Sequence, residues 1–232
     1  MIDINKDNPV HLRFAVLAVD IVLFVIKENE LYVRLVSVDR PPYFPKGSRG
    51  FPGGLIDPSE TAEDAVTRHL RDKALINPEK IHFEQLYTFS TIDRDPRGRV
   101  VAVSYIALAP WEELSAMEQQ NSPQSYWCKV SEAIGLAYDH DEMLAVAMER
   151  LRSRVKNTTI IGKFFPNEFT LGDLERAYSV ILEEPVDKRN FRKKIIKLDI
   201  LEELPHMQTG ERFRPAKLYR LKKPDVCEIE II

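Results

Sequence analysis

Hydrophobic and polar positions follow one grammar up to about residue 156 and another beyond it. Residues 14–25 and 31–38 are rich in β-branched and aliphatic side chains. The polar turn Lys27-Glu28-Asn29-Glu30 separates them, so they predict a pair of strands. The apolar run 14–26 is broken only by Asp20 and is too short to cross a bilayer, so it reads as a buried strand. A loop rich in Pro and Gly is expected over 40–54. Ala62, Val66 and Leu70 recur every fourth residue, and Thr61 with Asp64 three positions on has the form of a capping box. A helix over 62–74 follows. Strand patterns return over 82–90 and 100–109, joined by a charged turn, and 111–127 reads as an irregular excursion. Asp139 with Glu142 predicts another capping box, opening a helix to about residue 155 with Leu144, Met148, Leu151 and Val155 on its inner face. Strands mixed with helices in this order suggest an α/β sandwich.

Past Lys156 the pattern becomes helix, tight turn, basic helix, basic hairpin. Thr170 and Asp173 predict a capped helix that buries Leu171, Leu174, Tyr178 and Ile181, and Pro185 in the break that follows stops it from continuing. Asp187 caps a second helix to about residue 201, with Phe191, Ile195 and Leu198 inward and Lys188, Arg189, Arg192, Lys193 and Lys197 on other faces. Residues 204–207 and 216–221 flank a turn at Thr209-Gly210 and predict a hairpin carrying Arg212 and Arg214. This order is that of a winged helix-turn-helix. It divides the chain into residues 1–156 and residues 157–232, the second with the element order of a DNA-binding domain.

Charge sharpens the division. The 232 residues carry a formal net charge of −3, with 44% hydrophobic and 30% charged residues, ordinary for a globular protein. Over 187–223, however, twelve Lys/Arg stand against five Asp/Glu, a surplus of seven positive charges that leaves the remainder at −10. A basic block on an acidic body points to a polyanion partner for the block alone. The two cysteines form no CxxC pair, and residues 1–10 show no basic and apolar leader pattern, so reduced thiols in a cytoplasmic protein are expected, with no membrane partner.

The segment 53–76, GGLIDPSETAEDAVTRHLRDKALI, carries the chemistry. It resembles the signature of the Nudix hydrolases, which runs Gly, five residues, Glu, seven residues, Arg-Glu-apolar-x-Glu-Glu-x-Gly-apolar. Gly54, Glu60, Arg68, Leu70 and Ile76 fall on that pattern, while His69, Asp72 and Lys73 replace the three metal-binding glutamates and Leu75 replaces the late glycine. Positions 69, 72 and 73 share one helical face. One imidazole, one carboxylate and one ammonium make a poor site for Mg²⁺, which takes oxygen ligands, and without the ion nothing activates the attacking water. No catalytic and no metal-binding residues are therefore expected, and no cofactor is required. Ligand binding is expected to persist. The effector-binding candidates are Arg40 and Tyr43 in the loop, Gly53 and Gly54 in the turn, and Arg94, Arg97 and Arg99, whose guanidiniums suit phosphate oxygens. Two plainer readings stand beside this: a fold kept only as a dimerisation platform, and a 93–99 turn that is simply a solvated hairpin tip.

For the basic block, Lys188, Arg189, Asn190, Arg192 and Lys193 lie at the start of the second helix, the end that reaches base edges in helix-turn-helix docking, and Arg212 and Arg214 lie on the wing. Arg pairs with guanine and Asn with adenine. The plain alternative is a solvated amphipathic helix. Taken with the strand 17–24, the Phe-Pro-Gly-Gly at 51–54, the stretches 86–89 and 93–100, and 164–194, the whole chain is similar to the Nudix-related transcriptional regulators, the NrtR family. The resemblance implies an α+β protein, a Nudix α/β/α sandwich over 1–156 for effector sensing and dimerisation followed by a winged helix-turn-helix DNA-binding domain over 157–232. It further implies a homodimeric repressor of NAD biosynthesis or salvage genes, bound to inverted-repeat operator DNA and released by ADP-ribose. A sugar-responsive regulator of the same architecture and an active hydrolase of ADP-ribose-like substrates are the alternatives.

Overall fold

The computed structural model describes residues 14–210 and 213–231. Strand β1 (Val16–Lys27) passes through a turn at Glu28 and Asn29, both with positive φ, into β2 (Glu30–Arg40). Consecutive positive φ values give the primed turn whose twist matches an antiparallel pair. Two further strands follow, β3 (Phe44–Gly50) and β4 (Gly53–Leu55), then helix α1 (Ala62–His69), which runs on into a single π-helical turn, Leu70–Ala74. Strands β5 (His82–Phe89) and β6 (Val100–Leu108), a short helix α2 (Ala116–Gln119), strand β7 (Ser125–Lys129) and the long helix α3 (His140–Asn157) complete the first part. The second part consists of β8 (Phe169–Thr170), α4 (Leu171–Leu182), α5 (Lys188–Lys197) and the hairpin β9 (Leu201–Gly210) and β10 (Phe213–Leu221).

The large sheet has the order β3-β2-β1-β6-β5, with β4 added to β1 and β7 to β2; β1 and β6 are parallel and the other pairs antiparallel. Alternation along β1 explains the two covering layers. Val19, Ile21, Leu23 and Val25 pack with Ala65, Val66, Leu70 and Ala74 of α1 and its extension. Ala18, Val22 and Phe24 belong to the opposite cluster, with Met143, Leu144 and Ala147 of α3. A strand buried on both faces reads as a continuous apolar run. Asp20 falls in the second row and is itself buried. That same cluster continues without a break through Leu151, Val155 and Phe164 into Leu174, Tyr178, Ile181, Phe191 and Ile195, so the winged helix shares a core with the sheet.

The structure departs from the sequence expectations in places. The loop expected over 40–54 contains β3 and β4, and the excursion 111–127 contains α2, capped by Ser115, and the start of β7. Helix α5 ends at Lys197 and not near 201, because Asp199 turns left-handed and Leu201 enters β9. The capping boxes at Thr61–Asp64 and Thr170–Asp173 form, but Asp139, although it is the N-cap of α3, makes no side-chain cap bond. Among the described residues no helix is long and apolar enough to cross a membrane.

Candidate functional site

A cavity of about 800 Å³ opens where β1, β2 and β4 meet the π-helical turn, the 90–99 loop and the start of α3. Its lining includes Asp20, Arg40, Gly53, Gly54, Asp72, Lys73, Arg94, Asp95, Arg97, Tyr138 and His140. Of the expected effector residues, Arg40, Gly53, Gly54, Arg94 and Arg97 are thus brought together. Tyr43 and Arg99 are not among the lining residues: Tyr43 is exposed, and Arg99 donates to the carbonyls of Ser90 and Thr91 at 2.8 and 3.1 Å.

The cations of the cavity fall into two sorts. Arg94 is buried and donates to both oxygens of Asp139, at 2.8 and 2.7 Å, and to Asp20 at 3.2 Å. This bond is why Asp139 does not close its own capping box: its carboxylate is spent on a residue 45 positions away. Burial opposes the charge on Arg94, but the carboxylates outweigh it and raise its pKa. Arg97 is forked onto Asp95, at 2.9 and 2.6 Å, with its guanidinium 5.6 Å from the Tyr138 ring centre. Arg40 and Lys73 have no carboxylate within ion-pair distance among the described residues.

Lys73 occupies a signature glutamate position, and its ammonium donates to the Gly53 carbonyl. Burial, then the Arg40 guanidinium, lower its pKa against the opposing pull of Asp20. His69, also at a glutamate position, is buried with Nδ1 unpartnered, and burial followed by Lys73 pushes its pKa down. The two glycines are fixed by contact. A Cβ on Gly53 would stand 2.3 Å from the Val19 carbonyl oxygen, and one on Gly54 2.9 Å from both Lys73 Nζ and His69 Cε1.

The residues present do not fit a divalent metal. Among the described residues no group of three or more His, Cys, Asp or Glu converges on one point. Glu60 is paired with Arg68, which holds it down to about 2, and Glu63 accepts from the Tyr105 hydroxyl at 2.8 Å. At the signature positions the Lys73 ammonium repels the ion, and the His69 imidazole is not the oxygen ligand that Mg²⁺ takes.

On the winged helix, the buried stripe of α5 is Phe191 and Ile195. At 100° per residue, Arg189, Lys193 and Ile196 point away from it. Arg189 and Lys193 are exposed and have no ion pair among the described residues, and Ile196, 59% exposed, was not singled out by the sequence pattern. Lys188 and Arg192 turn back towards α4, where the buried Glu175 accepts both at 3.2 Å. Asn190 is tied to the Asp187 cap at 3.0 and 3.1 Å. In the hairpin, Lys217 pairs with Glu203 and Arg220 with Glu202, so the basic surplus there is partly cancelled within the wing. Arg214 falls within β10, and Arg212 lies outside the described residues. Among the lining residues that sequence reasoning did not assign to a ligand site are Asp20, Lys73, Tyr138 and His140. Only Lys73 carried a signal, its place in the signature.

Comparison with known proteins accords with both halves. Residues 16–150 match the family model of the NUDIX domain, and residues 161–221 match that of the NrtR DNA-binding winged helix domain. The crystal structure of Shewanella oneidensis NrtR complexed with a 27mer DNA is 33% identical, covers 89% of this chain and 93% of its own, and superposes with a TM-score of 0.77. The NUDIX domain of the same protein complexed with ADP ribose is 32% identical over 63% of this chain and 95% of its own, with a TM-score of 0.53. An ADPR responsive transcriptional repressor, NtrR of Acinetobacter baylyi, is 28% identical over 211 residues, 90% of this chain and 83% of that protein. A Nudix sheet whose metal-binding positions hold His69, Asp72 and Lys73, sharing one core with a basic winged helix, places this chain in the NrtR family.

Proposed function

We propose that this chain is a transcriptional repressor that holds operator DNA through α5 and the β9–β10 wing and releases it when ADP-ribose fills the cavity. The regulated genes are those of NAD biosynthesis or salvage. The observation that carries the reading is α3. Its first residues stand at the cavity, where Arg94 grips Asp139 and the Phe51 amide donates to His140 Nδ1 at 2.9 Å. Its last turns are bonded to α4. Tyr178 Oη donates to the Val155 carbonyl at 3.0 Å, and Arg152 donates to the Ile181 carbonyl at 3.2 Å and pairs with Glu183 at 2.8 Å. One helix of 18 residues, about 27 Å long, thus joins the ligand cavity to the first helix of the reading head.

A ligand shifts such a system only by its differential affinity for the two arrangements, typically about 1–3 kcal/mol. In a two-fold dimer reading an inverted repeat, a small change of α3 in each subunit changes the spacing of the two α5 helices, and the half-site spacing is no longer matched. Hydrolysis is not part of the reading, since among the described residues the cavity's carboxylates do not converge into the ligand group a metal would need.

The deciding experiment is a mobility shift on the gene's own upstream DNA with and without ADP-ribose. Binding that weakens by about tenfold or more at saturating ligand is the expected result. Indifference to ADP-ribose with a response to pentoses supports the sugar-responsive alternative. Rapid release of AMP from ADP-ribose with Mg²⁺ or Mn²⁺, abolished in Asp72→Asn, supports the hydrolase.

A further inference from the structure

We propose that Lys73 supplies the positive charge that this cavity offers to the diphosphate of a nucleotide ligand, and that binding by this chain therefore needs no divalent metal. The proposal rests on the cavity being the effector site argued above. Four Lys/Arg side chains line the cavity, and two of them are already matched: Arg94 by Asp20 and Asp139, Arg97 by Asp95. A guanidinium held by buried carboxylates has little charge left for a third anion. Lys73 and Arg40 are the two without such a partner among the described residues.

The surroundings of Lys73 are built for an anion. An ammonium has three donors, and here one goes to the Gly53 carbonyl. The other two have no protein acceptor among the described residues, although the side chain is half-buried. Gly54 keeps the space against the ammonium clear, because any Cβ there would press on Nζ. Burial and the nearby Arg40 both work against the charge, and the negative charge of an arriving phosphate offsets both. A charge-assisted bond in so sheltered a place is worth more than one at the surface. The residue standing where a metal-binding carboxylate would be thus brings the cation itself, covalently fixed and always present.

The test is calorimetric titration of the full-length chain with ADP-ribose, in EDTA and in Mg²⁺. Affinity within about twofold in the two buffers is expected, and a roughly ten- to hundredfold loss in Lys73→Gln. The charge-reversed Lys73→Glu is expected to lose binding in EDTA and to recover part of it in Mg²⁺. Wild-type binding that vanishes in EDTA overturns the proposal with no variant needed, and so does wild-type affinity in a folded Lys73→Gln. A wild type that gives no heat with ADP-ribose in either buffer overturns the effector reading along with it. Binding that is intact in Lys73→Gln or lost in EDTA overturns the Lys73 role alone.

Discussion

The cavity and helix α5 are both rich in cations, yet they treat them in opposite ways. At the cavity Arg94 is closed off by two carboxylates and Arg97 by one, and nearby in sequence but outside the lining Arg99 is turned onto backbone carbonyls. On α5, Arg189 and Lys193 stand in solvent with no ion pair among the described residues. The reason is the cost of charge transfer out of water. A buried guanidinium requires a partner, whereas one at the surface is solvated and can wait for a phosphate. Counting arginines therefore overstates what the cavity can offer a ligand, but not what α5 can offer DNA.

The sharpest way to break this comparison is to remove Arg94. If it is structural, Arg94→Met leaves Asp20 and Asp139 facing each other's field in a buried site, and unfolding stability falls by about 3–5 kcal/mol. Urea denaturation measures this directly. A loss below about 1 kcal/mol together with abolished ADP-ribose binding would place Arg94 on the ligand side after all. Next in size comes Arg189→Ala on the exposed helix. Folding is expected to be unchanged, while operator affinity falls by about 1–3 kcal/mol if Arg189 reads a base, or the salt slope drops by about one if it holds a phosphate. Operator affinity and salt slope both unchanged would leave α5 as a solvated amphipathic face.

The same contrast explains what the sequence could and could not reveal. Local devices were legible: the boxes at Thr61–Asp64 and Thr170–Asp173 form because every partner lies within three residues. The box at Asp139–Glu142 has the same local form and fails, because Arg94 outbids the backbone from 45 residues away. Strands β3, β4 and β7 were hidden for a similar reason. Their partners are β2 and β1, and their own sequences read as Pro/Gly loop and irregular chain. Arg34 shows the limit. It lies in an apolar strand, 1% exposed, stacked 5.0 Å over Trp127 and bonded to the Ala74 carbonyl, and burial lowers its pKa to about 10. Nothing near it in sequence announces a buried guanidinium. The exposure of the α5 cations was more legible because surface charge needs no distant partner, although the pattern did not show that Lys188 and Arg192 are held back by Glu175.

Glu175 is where the two regimes meet, a buried carboxylate on α4 holding two largely exposed cations of α5. Glu175→Gln sharpens the comparison by releasing them. Solvent screening of the partners limits the stability cost to about 1 kcal/mol. The larger signal is in DNA binding. With Lys188 and Arg192 untethered, non-specific affinity is expected to rise a few-fold and its salt dependence to steepen by about one to two. Specific affinity is expected to rise less, since the cations lose their fixed placement. Fluorescence anisotropy on operator and scrambled duplexes across a salt series reads all three. An unaltered slope on both duplexes would mean that neither cation comes near the phosphates.

The smallest expected effect lies at the cavity rim, where Leu75 holds a left-handed conformation, φ 59° and ψ 40°, at the end of the π-helical turn. This is the position the Nudix signature gives to glycine, and a leucine there costs about 1 kcal/mol or more in backbone strain. The strain is held by Leu75 and Ile76, whose amides both return to the Leu70 carbonyl, and the turn they close is the one that aims Lys73 at Gly53. Leu75→Gly relieves the strain but adds freedom to the unfolded chain and gives up a side chain that is 44% exposed, so a net gain of only about 0.5 kcal/mol is expected. For a chain of this size that is a rise in Tm of about 1–2 °C. A fall of more than 2 °C would instead show that leucine packing, not backbone shape, fixes the turn. In that case the signature glycine was replaced because this cavity gains more from a wall than from a relaxed corner.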